Sequence, residues 1–275
     1  MSNVAFNSPT VPSFTSVGNW PGLFKQGDEH PGYILPLSFS QGENKNLVSS
    51  WISFPASFTY GKQTESSVFE QIWKHRPNES QTLYVYNNAY KPGRRFRDFG
   101  NVQKGYRFSG QAGEVYPVPD CLLPFVLKGE ELLDEDKISG DTLTLVNWYR
   151  QPTHDACDVI GSHSDAEKEL SRDINGGTSV VSFTLQETIG PGNSYRIFRI
   201  KPKKGGKNRL DLKMTDGMVL VMKGQMQKEF KHAVPPVPKS HIADTSFSNS
   251  NSNNIPKVGR RINITVRRFK NKSSE

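Results

Sequence analysis

Cysteine is scarce in this chain, and the two present, Cys121 and Cys157, are too few for a disulfide framework. Neither belongs to a CxxC pair, so they do not suggest a structural zinc. Long apolar runs are missing too: hydrophobic residues make up 34% of the sequence and mean hydropathy is −0.61. Nothing approaches the roughly 18 to 20 apolar residues that cross a bilayer, and the polar N-terminus has no apolar signal-peptide core. A soluble, monomeric protein of the nucleus or cytoplasm, with no membrane partner, is the expectation.

Acidic charge is also in deficit. Lys and Arg number 35 against 27 Asp and Glu, a formal net charge of +8. That balance favours a polyanionic partner, nucleic acid above all. With 18 Pro, 23 Gly and 11% aromatics, long loops should surround a smaller folded body, and 275 residues are enough to bury its core.

Residues 1–30 read as a flexible N-terminal arm whose aromatics Phe6, Phe14, Trp20 and Phe24 suit docking. Residues 31–140 read as an N-terminal extension. It has strand-like runs at 48–54 and 58–60, then a helix from Thr64 to about His75 with Val68, Phe69, Ile72 and Trp73 near one face, stopped by Pro77. A strand over Leu83–Tyr86 leads into a loop where Arg94, Arg95 and Arg97 alternate with aromatics, a mixture that grips phosphates while offering flat faces to bases. Residues 117–140 suit a helix with a charged outer face. From 141 to 269 the pattern turns to β, with runs at 142–149, 179–185, 194–200, 209–214, 218–222 and 261–269. These runs argue an antiparallel sandwich or jelly roll, within an α+β chain. Lys201–Asn208 reads as a basic hairpin tip with Lys201, Lys203, Lys204 and Lys207 as phosphate grips, 239–257 as a mobile low-complexity loop, and 270–275 as a tail.

His163 and Asp165, two apart on an extended segment, point to one side of the backbone and can reach one ion. His232, downstream of the run at 218–222, supplies a second imidazole, with His154 as its main rival. Two neutral imidazoles and one carboxylate occupy one face of an octahedral ion and leave three positions open, which suits non-haem Fe(II) and oxygen chemistry. On the last strand Arg261, Asn263, Thr265 and Arg267 share one face, and Ile262, Ile264 and Val266 share the other. Arginines turned inward require an anion, because a buried unpaired guanidinium is costly, and a dicarboxylate would serve both. An edge strand whose polar face meets water would need none. Asn147 and Tyr149, again two apart, could add hydrogen bonds.

In order and approximate spacing, Asn147-x-Tyr149, Ile-Gly-x-His163-x-Asp165, His232 and Arg261-x-Asn263-x-Thr-x-Arg267 resemble the AlkB family of Fe(II)- and 2-oxoglutarate-dependent dioxygenases, over about residues 83–269. Tyr106-Arg-Phe108-Ser109-Gly resembles the base-stacking segment of that family's eukaryotic nuclear DNA-repair branch. The resemblance implies a double-stranded β-helix core at 141–269, behind N-terminal helices and a nucleotide-recognition lid within 31–140. It implies Fe(II) on the catalytic residues His163, Asp165 and His232, 2-oxoglutarate on Asn147, Tyr149, Arg261, Asn263 and Arg267, and O2 as oxidant. On the substrate side Phe108 would sandwich the damaged base against His163, with Tyr106 and Ser109 beside it and Glu167 near the base edge. Tyr86 would fill the gap left by a flipped base, and Arg94 and Arg95 would meet the strand. Ala166 stands where that branch often has Asp.

The function so implied is oxidative demethylation of N-alkylated bases in nucleic acid, DNA before RNA. The base leaves the stack, its methyl carbon is hydroxylated, and formaldehyde, succinate and CO2 are released. Two alternatives remain: an RNA demethylase of the same fold, distinguished by contacts to the 2′-OH, and a catalytically silent basic β-sandwich that only binds nucleic acid. Succinate formation separates the last from the other two.

Overall fold

The computed structural model describes residues 4–9, 11–17, 25–26, 33–39, 48–60, 67–85, 88–101, 107–108, 111–135, 138–165, 167–173, 176–204, 207–243 and 256–270. In chain order come β1 (Val4–Asn7), β2 (Ser13–Val17), β3 (Lys25–Gln26), β4 (Tyr33–Phe39), β5 (Val48–Phe54), β6 (Ser57–Tyr60) and helix α1 (Val68–Lys74). There follow β7 (Leu83–Val85), β8 (Asn88–Tyr90), β9 (Arg95–Gly100), β10 (Arg107–Phe108), β11 (Gln111–Ala112), β12 (Val115–Tyr116) and helix α2 (Leu123–Glu135). The second half contributes β13 (Asp141–Tyr149), β14 (Ile160–His163), β15 (Val180–Ile189), β16 (Arg196–Pro202), β17 (Arg209–Met214), β18 (Val219–Gly224), α3 (Met226–Glu229), β19 (Phe230–Val234) and β20 (Lys257–Phe269).

Two sheets carry the fold. A nine-stranded sheet has the order β12-β9-β13-β20-β15-β18-β5-β4-β3, and a five-stranded sheet has the order β14-β19-β16-β17-β2. Their pairings are antiparallel except β12 with β9. This is the jelly-roll core of an α+β chain. The large sheet draws strands from both sides of residue 141.

Period-two alternation decides what each face of the large sheet does. Val146 and Trp148 of β13, Val181, Phe183 and Leu185 of β15, and Ile262, Ile264 and Val266 of β20 are buried together with Phe125, Leu132 and Leu133 of α2 and Ile72 of α1. Full burial of each such side chain contributes about 1.5 to 3 kcal/mol, so this layer anchors the three central strands. Helix α2 comes so close that a Cβ on Gly129 would lie 2.7 Å from Val266. Trp148 Nε1 donates to Ile72 O at 3.1 Å, tying α1 to β13. The opposite faces of these strands look toward the small sheet, where Val180, Leu220 and Met222 pack with Ile200, Leu210 and Leu212.

Strand expectations in the second half agree with the structure, with extensions: β20 begins at Lys257, and β14 and β19 are added. Helix α1 occupies the later part of its expected range, capped by Ser67 Oγ accepting from Glu70 N at 3.2 Å. Two readings are corrected. From Arg95 onward the Arg-rich stretch is a strand of the large sheet rather than a loop, with Arg94 just before it, because Phe96, Asp98 and Phe99 are buried when β9 pairs with β13. Three parts of the N-terminal arm are strands, β1 on β6, β2 on β17 and β3 on β4. Phe6 anchors β1 against Phe58, Phe125 and Phe183 with centroids 6.0 to 6.4 Å apart. Trp20, Phe24 and residues 244–255 of the low-complexity loop lie outside the described residues.

Candidate functional site

Strand β14 runs antiparallel to β19, which sets His163 directly opposite His232, with ring centroids 4.3 Å apart. Asp165 follows two residues later and is buried. His163 Nε2 lies 3.8 Å from Asp165 Oδ1, and His232 Nε2 lies 3.7 Å from Asp165 Oδ2. One ligand atom from each residue falls within 4.8 Å of the others, the one such His/Cys/Asp/Glu group among the described residues.

The ring environments favour lone pairs aimed at a common point. His163 Nδ1 is 2.9 Å from Gly161 O, so that nitrogen carries the proton and Nε2 faces Asp165 and His232. Burial, reinforced by His163, pushes the pKa of His232 down to about 3, leaving a neutral imidazole at physiological pH. Phe198 stacks on its ring at 5.2 Å and 26°. Two imidazoles and a carboxylate, with no thiolate, fit an oxygen-activating ferrous centre and not a closed structural zinc.

These residues line a cleft whose polar wall comes from β13, β15 and β20. Arg261 is 2% exposed. Its Nη2 donates to Thr184 Oγ1 at 3.3 Å, and its guanidinium lies 4.9 Å from the centroid of the Tyr149 ring. Nε and Nη1 of Arg261 have no hydrogen-bond acceptor among the described residues. Burial, reinforced by the charge of Arg196, pushes its pKa down to about 10. A guanidinium held this way costs several kcal/mol unless an anion completes it, and a carboxylate of 2-oxoglutarate has the charge and the paired acceptors to do so. Arg267 Nη1 lies 3.5 Å from Asp165 Oδ1, linking the anion wall to the metal triad. The amides are held as well: Asn147 Oδ1 accepts from Arg94 Nε at 2.9 Å, and Asn263 Nδ2 donates to Ser182 Oγ at 2.8 Å and Phe183 O at 3.0 Å.

The structure therefore brings together His163, Asp165, His232, Asn147, Asn263, Arg261 and Arg267, with Tyr149 packed beneath Arg261. Arg94 joins them from the direction of β9. Instead of gripping phosphate on a loop it is buried in the cleft wall. Arg95 turns the other way and donates to Pro77 O at 2.7 Å. Glu167 is half-buried just past Asp165, and His154 is exposed and apart from the cluster. Tyr86, Tyr106, Ser109 and Ala166, with the side chain of Phe108, lie outside the described residues.

Two site residues were not anticipated from sequence. Arg196 is buried, donates Nη2 to Asp158 O at 2.7 Å and Pro235 O at 3.2 Å, and lies 5.3 Å from the Tyr149 ring centroid. Phe198 covers His232. Their signal was the alternation Arg196, Phe198, Ile200 on one strand face, which places an arginine in a series of inward positions.

A family model described as the 2OG-Fe(II) oxygenase superfamily matches residues 48–267. The chain is 24% identical over 224 residues to the DNA oxidative demethylase ALKBH2 of Mus musculus, covering 76% of this chain and 84% of that protein. Among solved structures it is similar to a Pseudomonas putida prolyl-4-hydroxylase, with 13% identity and a TM-score of 0.37 over 66% of this chain and 73% of that one. It is also similar to a bsmA homolog from Methylobium petroleophilum PM1, with 13% identity and a TM-score of 0.39 over 74% and 82% of the two chains.

Proposed function

The chain belongs to the 2OG-Fe(II) oxygenase superfamily and is AlkB-like, and from that premise we propose that it is an oxidative demethylase of N-alkylated bases in nucleic acid, DNA before RNA. Members of the superfamily use Fe(II), 2-oxoglutarate and O2. The observation that carries the reading is the junction of two half-sites in one cleft: the His163, Asp165 and His232 triad, and a buried Arg261 with unmet N–H groups. The net charge of +8 and the likeness to a DNA oxidative demethylase supply the substrate class.

In this reading His163 and His232 offer Nε2 and Asp165 a carboxylate oxygen to Fe(II). Arg261 holds the far carboxylate of 2-oxoglutarate, while Asn147, Asn263, Tyr149 and Arg267 shape the wall along which that molecule lies. Iron and co-substrate together supply oxidative decarboxylation to succinate and CO2, with one oxygen atom passing to a C–H bond. The hydroxylated N-methyl group then breaks its C–N bond and leaves as formaldehyde, returning the proton to the base. The protein's own contributions are position and charge: Phe198 stacks on the ring of His232, and Arg267 balances the charge of Asp165. Phe108 stacks the flipped base against His163, with Tyr106, Ser109 and Glu167 around it and Tyr86 in the vacated gap. The nucleotide-recognition lid falls within residues 31–140, outside the sheet strand β9, and Lys201, Lys204 and Lys207 meet phosphates.

The test is mass spectrometry of single- and double-stranded oligonucleotides carrying defined N-methyl adducts, incubated with Fe(II), 2-oxoglutarate and air. The expected result is loss of one methyl equivalent with stoichiometric succinate. Tight binding of every oligonucleotide with no succinate formed would rule out the enzyme reading, and succinate with methyl loss confined to RNA would move the substrate to RNA.

A further inference from the structure

We propose that Gln227 is a positioning residue of the metal centre, fixing Asp165 relative to His232, and that Lys203 belongs to this assembly rather than to the nucleic-acid surface. The inference rests on the reading of His163, Asp165 and His232 as a metal site.

Between β18 and β19 the chain makes a single helical turn, α3, and Gln227 on that turn is 2% exposed despite its amide. Its Oε1 accepts the backbone N–H of Asp165 at 2.9 Å, and its Nε2 donates to Met222 Sδ at 3.3 Å. The side chain thus spans from the segment bearing His163 and Asp165 to the turn that leads into His232. Packing alone would be served as well by a leucine or methionine. A buried amide whose oxygen is spent on a ligand's own N–H fixes that ligand's backbone instead.

Lys203 secures the other side of the turn. Its Nζ donates to Gln227 O at 2.7 Å, and its backbone N–H donates to Glu229 O at 2.8 Å. Burial, then the nearby charge of Lys231, pushes its pKa down. Lys203 is exposed like its neighbours Lys201 and Lys204, and what sets it apart is that its ammonium is spent on Gln227 O, which makes it a poorer phosphate grip. The basic hairpin tip therefore divides by bonding rather than by burial, with Lys203 tied to α3.

Mn(II) titration of metal-free protein, read by the EPR signal of free Mn(II), tests this without turnover. Gln227→Met should weaken Mn(II) binding about tenfold or more, as loss of an outer-shell tether to a ligand does, while Gln227→Glu, which keeps the acceptor oxygen, should stay within about threefold. Should Gln227→Met fail to fold by circular dichroism, Gln227→Leu carries the same expectation. Mn(II) affinity in the apolar variant within about twofold of wild type, or an equal loss in Gln227→Glu, would overturn the inference. If His163→Ala bound Mn(II) as well as wild type, the metal-site reading itself would fall and take this inference with it. For Lys203, the slope of oligonucleotide affinity against salt should be unchanged in Lys203→Met but reduced by about one in Lys204→Met; equal reductions would return Lys203 to the nucleic-acid surface.

Discussion

Arg260 and Arg261 are neighbours on β20, and the large sheet sends them to opposite fates. On the outer face Arg260 is bonded to the carboxylates of both Glu70 and Glu187 and lies 5.1 and 4.7 Å from the rings of Phe69 and Trp73. These partners, Glu187 first, hold its pKa above the ordinary arginine value. On the inner face Arg261 has a hydroxyl and a tyrosine ring, and its pKa moves the other way. Identical side chains one position apart therefore separate a completed structural pairing from an incomplete binding site. Completeness of charge pairing, rather than burial or residue type, marks which face awaits a ligand.

Substitutions on the two faces should separate accordingly. The largest expected effect is on the inner face at the triad, where Asp165→Ala should lower succinate formation by more than about a thousandfold, measured as turnover at saturating 2-oxoglutarate. Next, Arg261→Met should weaken 2-oxoglutarate binding by about 100-fold or more in calorimetry with Mn(II) present, because the carboxylate loses a buried charged partner. The same variant should leave the urea stability of the ligand-free protein unchanged or raised, since it removes an uncompensated charge. On the outer face the pattern should reverse: Arg260→Met should destabilise the protein by about 1 to 2 kcal/mol in urea unfolding, through its network of two carboxylates and two rings, with co-substrate affinity within about twofold. Smallest of all, Glu70→Gln should cost about 0.5 kcal/mol by the same measurement. A loss of co-substrate binding in Arg260→Met as large as in Arg261→Met would break the separation of the faces.

How much of this was legible in the sequence follows from the range of each signal. His163 and Asp165 announce themselves because two residues on an extended segment must share a side, and β20 declares both of its faces in seven residues. The expectation that its inward arginines need an anion agrees with the unmet N–H groups of Arg261. Arg95 and Arg97 were misread as loop residues for a reason of the same kind. Aromatics interleaved with arginines look alike in a phosphate-binding loop and in a strand with one buried edge, and only pairing with β13 decides. Gln227 and Arg196 carry no local pattern that assigns them a partner. Their bonds to Asp165, Asp158 and Pro235 cross between segments far apart in sequence.

The unmet guanidinium of Arg261 has a thermodynamic corollary. Whatever anion satisfies it binds the folded chain and not the unfolded one, so its binding free energy is also folding free energy. Co-substrate at 100 times its dissociation constant would add about 2.7 kcal/mol to stability. The population of unfolded, protease-sensitive chains would then fall roughly 100-fold between starvation and plenty. On the proposed role of Arg261, the lifetime of the protein would follow the supply of that metabolite.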